Sequence, residues 1–193
     1  MLADSAALQA GIAIAGEDVC RVTRTDEWIS EAPGRWWVLH TRARHEKAVA
    51  NSLERHRIHY YLPLVPVVRT YAKCRVTFLL PLFPGYLFLC GGHDDCERAW
   101  RTNRIANILY VEDQKQLRAE LHQVCQAVET GEKVDLFKSL KKGRRCRITG
   151  GSLKGLEGVV LRRGRHCRMY LSVTILGQSA VVEVDAALLE TID

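Results

Sequence analysis

The most apolar run in the chain is Phe78–Cys90, FLLPLFPGYLFLC, and it carries no charge. Pro81, Pro84 and Gly85 interrupt it, which excludes a single long helix. Its second half, Tyr86–Cys90, is short, aromatic and bounded by Gly85 and Gly91–Gly92, so it predicts a central, largely buried strand. Pro81 and Pro84 lack a backbone N–H, so the first half is expected to be an extended entry or an edge. Alternation along a strand places Tyr86 and Phe88 on one face and Leu87 and Leu89 on the other. An aromatic face left uncovered would be a docking patch; the alternative is a plain core strand.

Other apolar patterns flank this centre. Arg35–Thr41, RWWVLHT, favours a strand, with Trp36, Val38 and His40 on one face and Trp37 and Leu39 on the other. A helix is expected over Arg44–Arg57, with Ala48, Val49 and Leu53 as its apolar side. Arg42, Arg44, Lys47, Arg55 and Arg57 make its surroundings basic, as a solvated face or a phosphate-contacting patch. Ile58–Leu62 returns as a strand that Pro63 and Pro66 break. Val67–Lys73 forms a hairpin arm or loop, and Arg75–Phe78 leads back to the centre. Beyond Gly91–Gly92, Asp94 with Glu97 resembles a capping box opening a short helix to Arg101. Ile108–Val111 is the next strand. Asp113 with Gln116 is a second cap, and Leu117, Leu121, Val124, Cys125 and Val128 recur at helical offsets, forming a face to pack on the sheet.

Thr130–Gly131 closes that helix, and residues 132–142 lose apolar periodicity and gather lysines, as a linker does. Strands are then expected at Arg145–Thr149, Gly158–Arg162, Arg168–Leu176, Ala180–Val184 and Leu188–Ile192, separated by glycine turns at Gly150–Gly151, Gly164 and Gly177. That spacing suggests a small barrel. Residues 1–34 read as a mobile extension with a short helix; no basic start marks a secretory signal, and no run reaches the length of a membrane span.

Composition adds three constraints. The 193 residues are 47% apolar and 26% charged, ordinary for a globular protein of one medium or two small domains. The net charge of +6 makes a polyanionic partner reasonable. The seven cysteines are scattered without a C-x-x-C pair, which points to small core residues in a reducing cytoplasm. His40 with His45, and His56 with His59, have no accompanying ligand cluster, so no metal is expected. No phosphate-cradling glycine motif occurs, and no cofactor or enzyme activity is expected. A Cys–His pair assembled in space is the competing enzymatic hypothesis.

Two patterns coincide with a known family. GRRCRITGGSLKGLEG, Gly143–Gly158, followed by VVL, resembles the KOW motif, with Gly158 at its structural glycine position. SVTILGQSAVVEVD, Ser172–Asp185, is similar to the strand–turn–strand that follows in NusG proteins. Upstream, RWWVLHTRARHEK, LERHRIHYYLP and PLFPGYLF resemble the NusG N-terminal domain. The resemblance implies an α+β chain: an N-terminal α/β sandwich over 35–131, with a mostly antiparallel sheet and flanking helices, and a KOW domain over 143–193 built as an SH3-like five-stranded β-barrel. It implies a transcription elongation and antitermination factor, cytoplasmic and monomeric. It would grip the clamp helices of RNA polymerase's largest subunit, bridge the DNA cleft and suppress pausing. The polymerase-binding residues would be His40, Phe83, Tyr86 and Phe88. His40 stands where the related antiterminator RfaH has an aromatic. Arg42, Arg44 and Arg104 would face DNA, including the non-template strand. The turn Ile175, Leu176 and Gly177 would meet Rho or a ribosomal protein. The compact Arg69–Phe78 stretch resembles specialised paralogues of the RfaH type. A KOW-containing ribosomal or RNA-binding protein is the alternative.

Overall fold

The computed structural model describes residues 13–14, 29, 32–71, 74–138, 143–163 and 166–192. The expected mobility and short helix of residues 1–34 lie outside the described residues, apart from the few just given. Lys73, the end of the expected linker at 139–142 and the Gly164 turn lie outside them as well.

The N-terminal half is a helix–sheet–helix sandwich. Its sheet contains β2 (Arg35–Thr41), β3 (His59–Tyr61), β6 (Tyr86–Gly91) and β7 (Ile105–Leu109), in the antiparallel order β3-β6-β2-β7. The expected face assignment of the central strand is what the packing shows. Leu87 and Leu89 join Leu39 beneath α1 (Glu46–Arg55) and α2 (His93–Trp100), against Val49, Ala50, Leu53, Cys96 and Ala99. Phe88 and Cys90 join Trp36 and Val38 beneath α3 (Gln114–Glu129), against Leu117, Leu121 and Val124. Alternating strand residues and helical offsets of three and four bring these apolar surfaces together.

Several boundaries differ from expectation for local reasons. Helix α1 is shorter than Arg44–Arg57, because Arg44 (φ 64°) and Arg57 (φ 57°) are both left-handed and cannot sit inside a right-handed helix. Helix α2 starts at His93. Asp95, not Asp94, caps it by accepting the Gly92 N–H at 2.9 Å. The Asp113 cap is as expected, accepting the Gln116 N–H at 2.8 Å. Strand β7 lies earlier than Ile108–Val111. Past its end, the Gln114 side chain stands in for a strand, accepting the Trp36 N–H at 2.7 Å and donating to the Trp36 carbonyl at 3.0 Å.

A second sheet is built on the hairpin of β4 (Leu64–Tyr71) and β5 (Cys74–Pro81), with β1 (Ala13–Ile14) parallel to β5, in the order β1-β5-β4. Pro66 does not break this segment: it pairs with Leu79 inside β4. That strand is an edge, where a missing N–H is tolerated.

The C-terminal half is a six-stranded antiparallel sheet. Its strands are β8 (Val134–Lys138), β9 (Arg144–Ile148), β10 (Glu157–Arg163), β11 (His166–Val173), β12 (Gln178–Val184) and β13 (Leu189–Thr191). Their order is β13-β9-β10-β11-β12-β8. Strand β8 comes from the expected linker. Val134–Lys138 pairs with the free edge of β12 and buries Val134, while Leu136 and Phe137 stay exposed. Strands β13 and β8 form the two edges and do not pair, so the sheet is open. Strand β11 stops at Val173, where Thr174–Leu176 forms a turn of 3₁₀ helix ended by Gly177 at φ 60°.

Gly158 lies inside β10 against β11. A Cβ there would stand 2.6 Å from the Tyr170 carbonyl oxygen and 2.9 Å from Met169 Cγ. The glycine is required by space, because its own backbone conformation is one that other residues adopt.

Helix α3 is shared between the halves. One continuous cluster of buried side chains runs from Trp36, Val38 and Phe88 through Leu117 and Leu121 to Met169 and Leu171. On its polar face, Glu120 accepts hydrogen bonds from the Thr174 N–H (3.0 Å) and the Thr174 hydroxyl. Gln123 accepts the Glu157 N–H at 3.0 Å. No described helix is long and apolar enough to cross a membrane.

Two buried groups set an alkaline limit. Burial, and then the Cys125 thiol and Glu129, raise Tyr61 well above its usual 10.0. Burial and then Asp95 push Cys96 up to about 12. Each stays protonated in the folded chain at a pH where the unfolded chain ionises. Their contribution to stability is therefore fully present below pH 9.0, the ordinary thiol value, and is lost as pH rises above it. Urea midpoints measured across that range are expected to fall, and to fall less in Tyr61→Phe. Gly158→Ala is expected to cost about 1–3 kcal/mol in the same assay, through overpacking against β11. Glu120→Ala is expected to loosen the C-terminal sheet from α3, so that ¹⁵N relaxation gives the two halves separate correlation times where the parent chain has one.

Candidate functional site

The open end of the first sheet gathers most of the candidate residues. His40 and Tyr86 are directly opposite on β2 and β6. Their rings stack with centroids 4.9 Å apart and planes 21° apart, and both are half-buried. Phe83 and Phe88 are not part of an exposed face. Both are fully buried: Phe88 packs edge-on to Phe83 at 6.2 Å and against Tyr61 at 6.3 Å. Of the four expected polymerase-binding residues, these two therefore do not form an uncovered aromatic face. Phe88 shares its face with Trp36 and Val38, which need a cover, and it joins Phe83 in the buried cluster that includes the apolar side of α3.

The arginines lie just beyond this pair. Arg42, Arg44 and Arg104 are all exposed. The Arg42 N–H donates to the Arg104 carbonyl at 2.8 Å, and an Arg104 guanidinium N–H donates to the Ala48 carbonyl at 3.4 Å. The structure thus places two residues far apart along the chain side by side, at the end of the sheet where His40 sits. Arg44 instead lines a cleft of about 560 Å³ between α1 and the β4–β5 hairpin, with Lys47, Arg69, Phe78, Leu80 and Pro81. Arg69 was not a candidate from sequence. It sits in a stretch read as a hairpin arm or loop, and the β4–β5 pairing shows it to be a hairpin arm that reaches the cleft.

The third group lies at the far end of the chain, on the turn after β11. Ile175 and Leu176 are half-buried against the shared core, and Gly177 is exposed. Thr174, beside them, is held by Glu120 and by Gln116, whose side-chain amide donates to the Thr174 hydroxyl at 3.0 Å. Three chemical features are on offer: an aromatic pair, exposed arginines, and a small apolar turn. Such surfaces bind partners by packing and charge.

Residues 34–131, half of the chain, match the family described as "NusG: Transcription termination factor nusG". Among solved structures, the chain is similar to one titled "Domain interaction in Thermotoga maritima NusG", with 18% identity, a TM-score of 0.46, and coverage of 82% of this chain and 97% of that one. It is also similar to one titled "Crystal Structure of MjSpt4:Spt5 complex conformation B", with 14% identity, a TM-score of 0.27 and the same coverages, 82% and 97%. No curated protein matches. The matched segment is the one that builds the sheet, its covering helices and the His40–Tyr86 pair, and on that match the chain belongs to the NusG family of transcription elongation factors.

Proposed function

We propose that this chain rides on RNA polymerase, docking the His40–Tyr86 end of its first sheet on the clamp helices of the largest subunit. From there it bridges the DNA cleft, holds the clamp closed and suppresses pausing and termination. A pause needs the clamp or the nucleic-acid scaffold to relax, so a ligand that binds only the closed clamp shifts the balance toward elongation. Phe83 and Phe88 act from beneath, as the rigid floor that fixes the height of the docking pair.

The observation that carries the proposal is the adjacency of two surfaces. A half-buried aromatic pair suits a protein groove, and the exposed Arg42 and Arg104 beside it suit phosphates. A bridge between a polymerase subunit and DNA requires both on one face. The C-terminal sheet, which we read as a KOW domain, would recruit Rho or a ribosomal protein through Ile175, Leu176 and Gly177. The β4–β5 hairpin fits a specialised paralogue of the RfaH type.

Tyr86→Ala is expected to weaken polymerase binding about tenfold or more, as loss of an aromatic anchor does. It should abolish the protein's effect in run-off transcription across a pause site and a terminator. Normal binding by a folded Tyr86→Ala protein would place the docking surface elsewhere. Arg42→Ala with Arg104→Ala is expected to leave polymerase affinity nearly intact while flattening the salt dependence of DNA binding.

A further inference from the structure

We infer that Glu46 is a positioning residue for the His40–Tyr86 pair, an inference that rests on the docking reading above. Glu46 opens α1 and would ordinarily sit in water, yet it is only 6% exposed. A carboxylate this buried needs a hydrogen-bond donor. Its Oε1 accepts the Gly85 N–H at 2.6 Å. On the other side of the same residue, the Gly85 carbonyl accepts the Thr41 N–H at 2.8 Å. Gly85 is thereby fixed between the first turn of α1 and the last residue of β2.

Gly85 touches the docking pair from both directions. It is left-handed, with φ 83°, and a Cβ on it would stand 3.6 Å from both Cδ2 and Nε2 of His40. The imidazole therefore lies against the glycine itself. The next residue is Tyr86, whose ring stacks on that imidazole at 4.9 Å. Whatever sets the Gly85 peptide sets the spacing and tilt of the two rings. Arg44, left-handed at φ 64°, reverses the chain between β2 and α1 and so returns Glu46 to the turn. A charge-assisted bond to a backbone N–H is stronger than one between neutral groups, and the start of a helix attracts negative charge. A carboxylate at this position holds the turn more tightly than an amide or hydroxyl would. Glu46 makes no contact with polymerase in this scheme; it acts through Gly85 on the rings that do.

The test uses the full chain. Glu46→Ala is expected to shift the His40 ring-proton resonances, which report the Tyr86 ring current, in the protein alone. It should also weaken binding to core RNA polymerase about tenfold, the loss expected when one buried hydrogen bond is removed. Glu46→Gln keeps an acceptor oxygen and is expected to recover most of the affinity and the parent ring shifts. Placed in a Tyr86→Ala background, Glu46→Ala should cause no further loss, because its route to the polymerase is already gone. Unchanged His40 resonances in Glu46→Ala would overturn the inference. So would affinity losses that simply add, or a loss that Glu46→Gln does not relieve, since these describe a generally structural residue. If the resonances move while Glu46→Ala and Tyr86→Ala both bind polymerase normally, the positioning holds and the docking surface is what fails.

Discussion

The antiparallel pairing of β2 with β6 is the constraint on which the rest of the molecule depends. It runs from Arg35 opposite Gly91 to His40 opposite Tyr86. One register assigns every large side chain of both strands to a layer. Trp36, Val38, Phe88 and Cys90 go under α3, and Leu39, Leu87 and Leu89 go under α1 and α2. A slip by one residue would exchange the two faces and leave each helix without its partner surface. The same register ends with two rings in contact at the open end of the sheet. The pair proposed for docking is thus the last rung of the ladder that builds the core.

Helix α3 turns this sheet into part of a larger body. Its apolar stripe closes the first core and continues into the second, while its polar face holds Thr174 and Glu157 of the C-terminal sheet. Apolar burial supplies the non-directional attraction. The hydrogen bonds to Glu120 and Gln123 select the orientation, because a backbone N–H bonds well only over a narrow range of approach. The expected partner turn, Ile175–Gly177, adjoins this contact, so its neighbouring polar groups are already satisfied within the chain.

Much of the N-terminal half was legible along the chain. Period-two alternation marked the correct faces of β2 and β6, since a strand leaves side chains no other choice. Offsets of three and four marked the buried stripe of α3, and Asp113 with Gln116 marked its start. Gly158 was recognisable from its motif, and its reason is close contact with β11. What stayed hidden was anything decided by a distant partner. Phe83 and Phe88 look like candidates for a docking face until both are found buried in the core. Val134–Lys138 looks like a linker until β12 offers an edge, and Pro66 looks like a breaker until its strand proves to be one.

By itself, then, the order of residues determined which side chains share a face, where α3 begins, and which family the chain resembles, because those depend on neighbours a few positions away. Only the tertiary structure decided which face is covered, that Arg42 meets Arg104, and that Glu46 reaches Gly85. Those contacts join segments whose separation along the chain carries no periodic signal, and they exist only once both segments are packed against the same sheet.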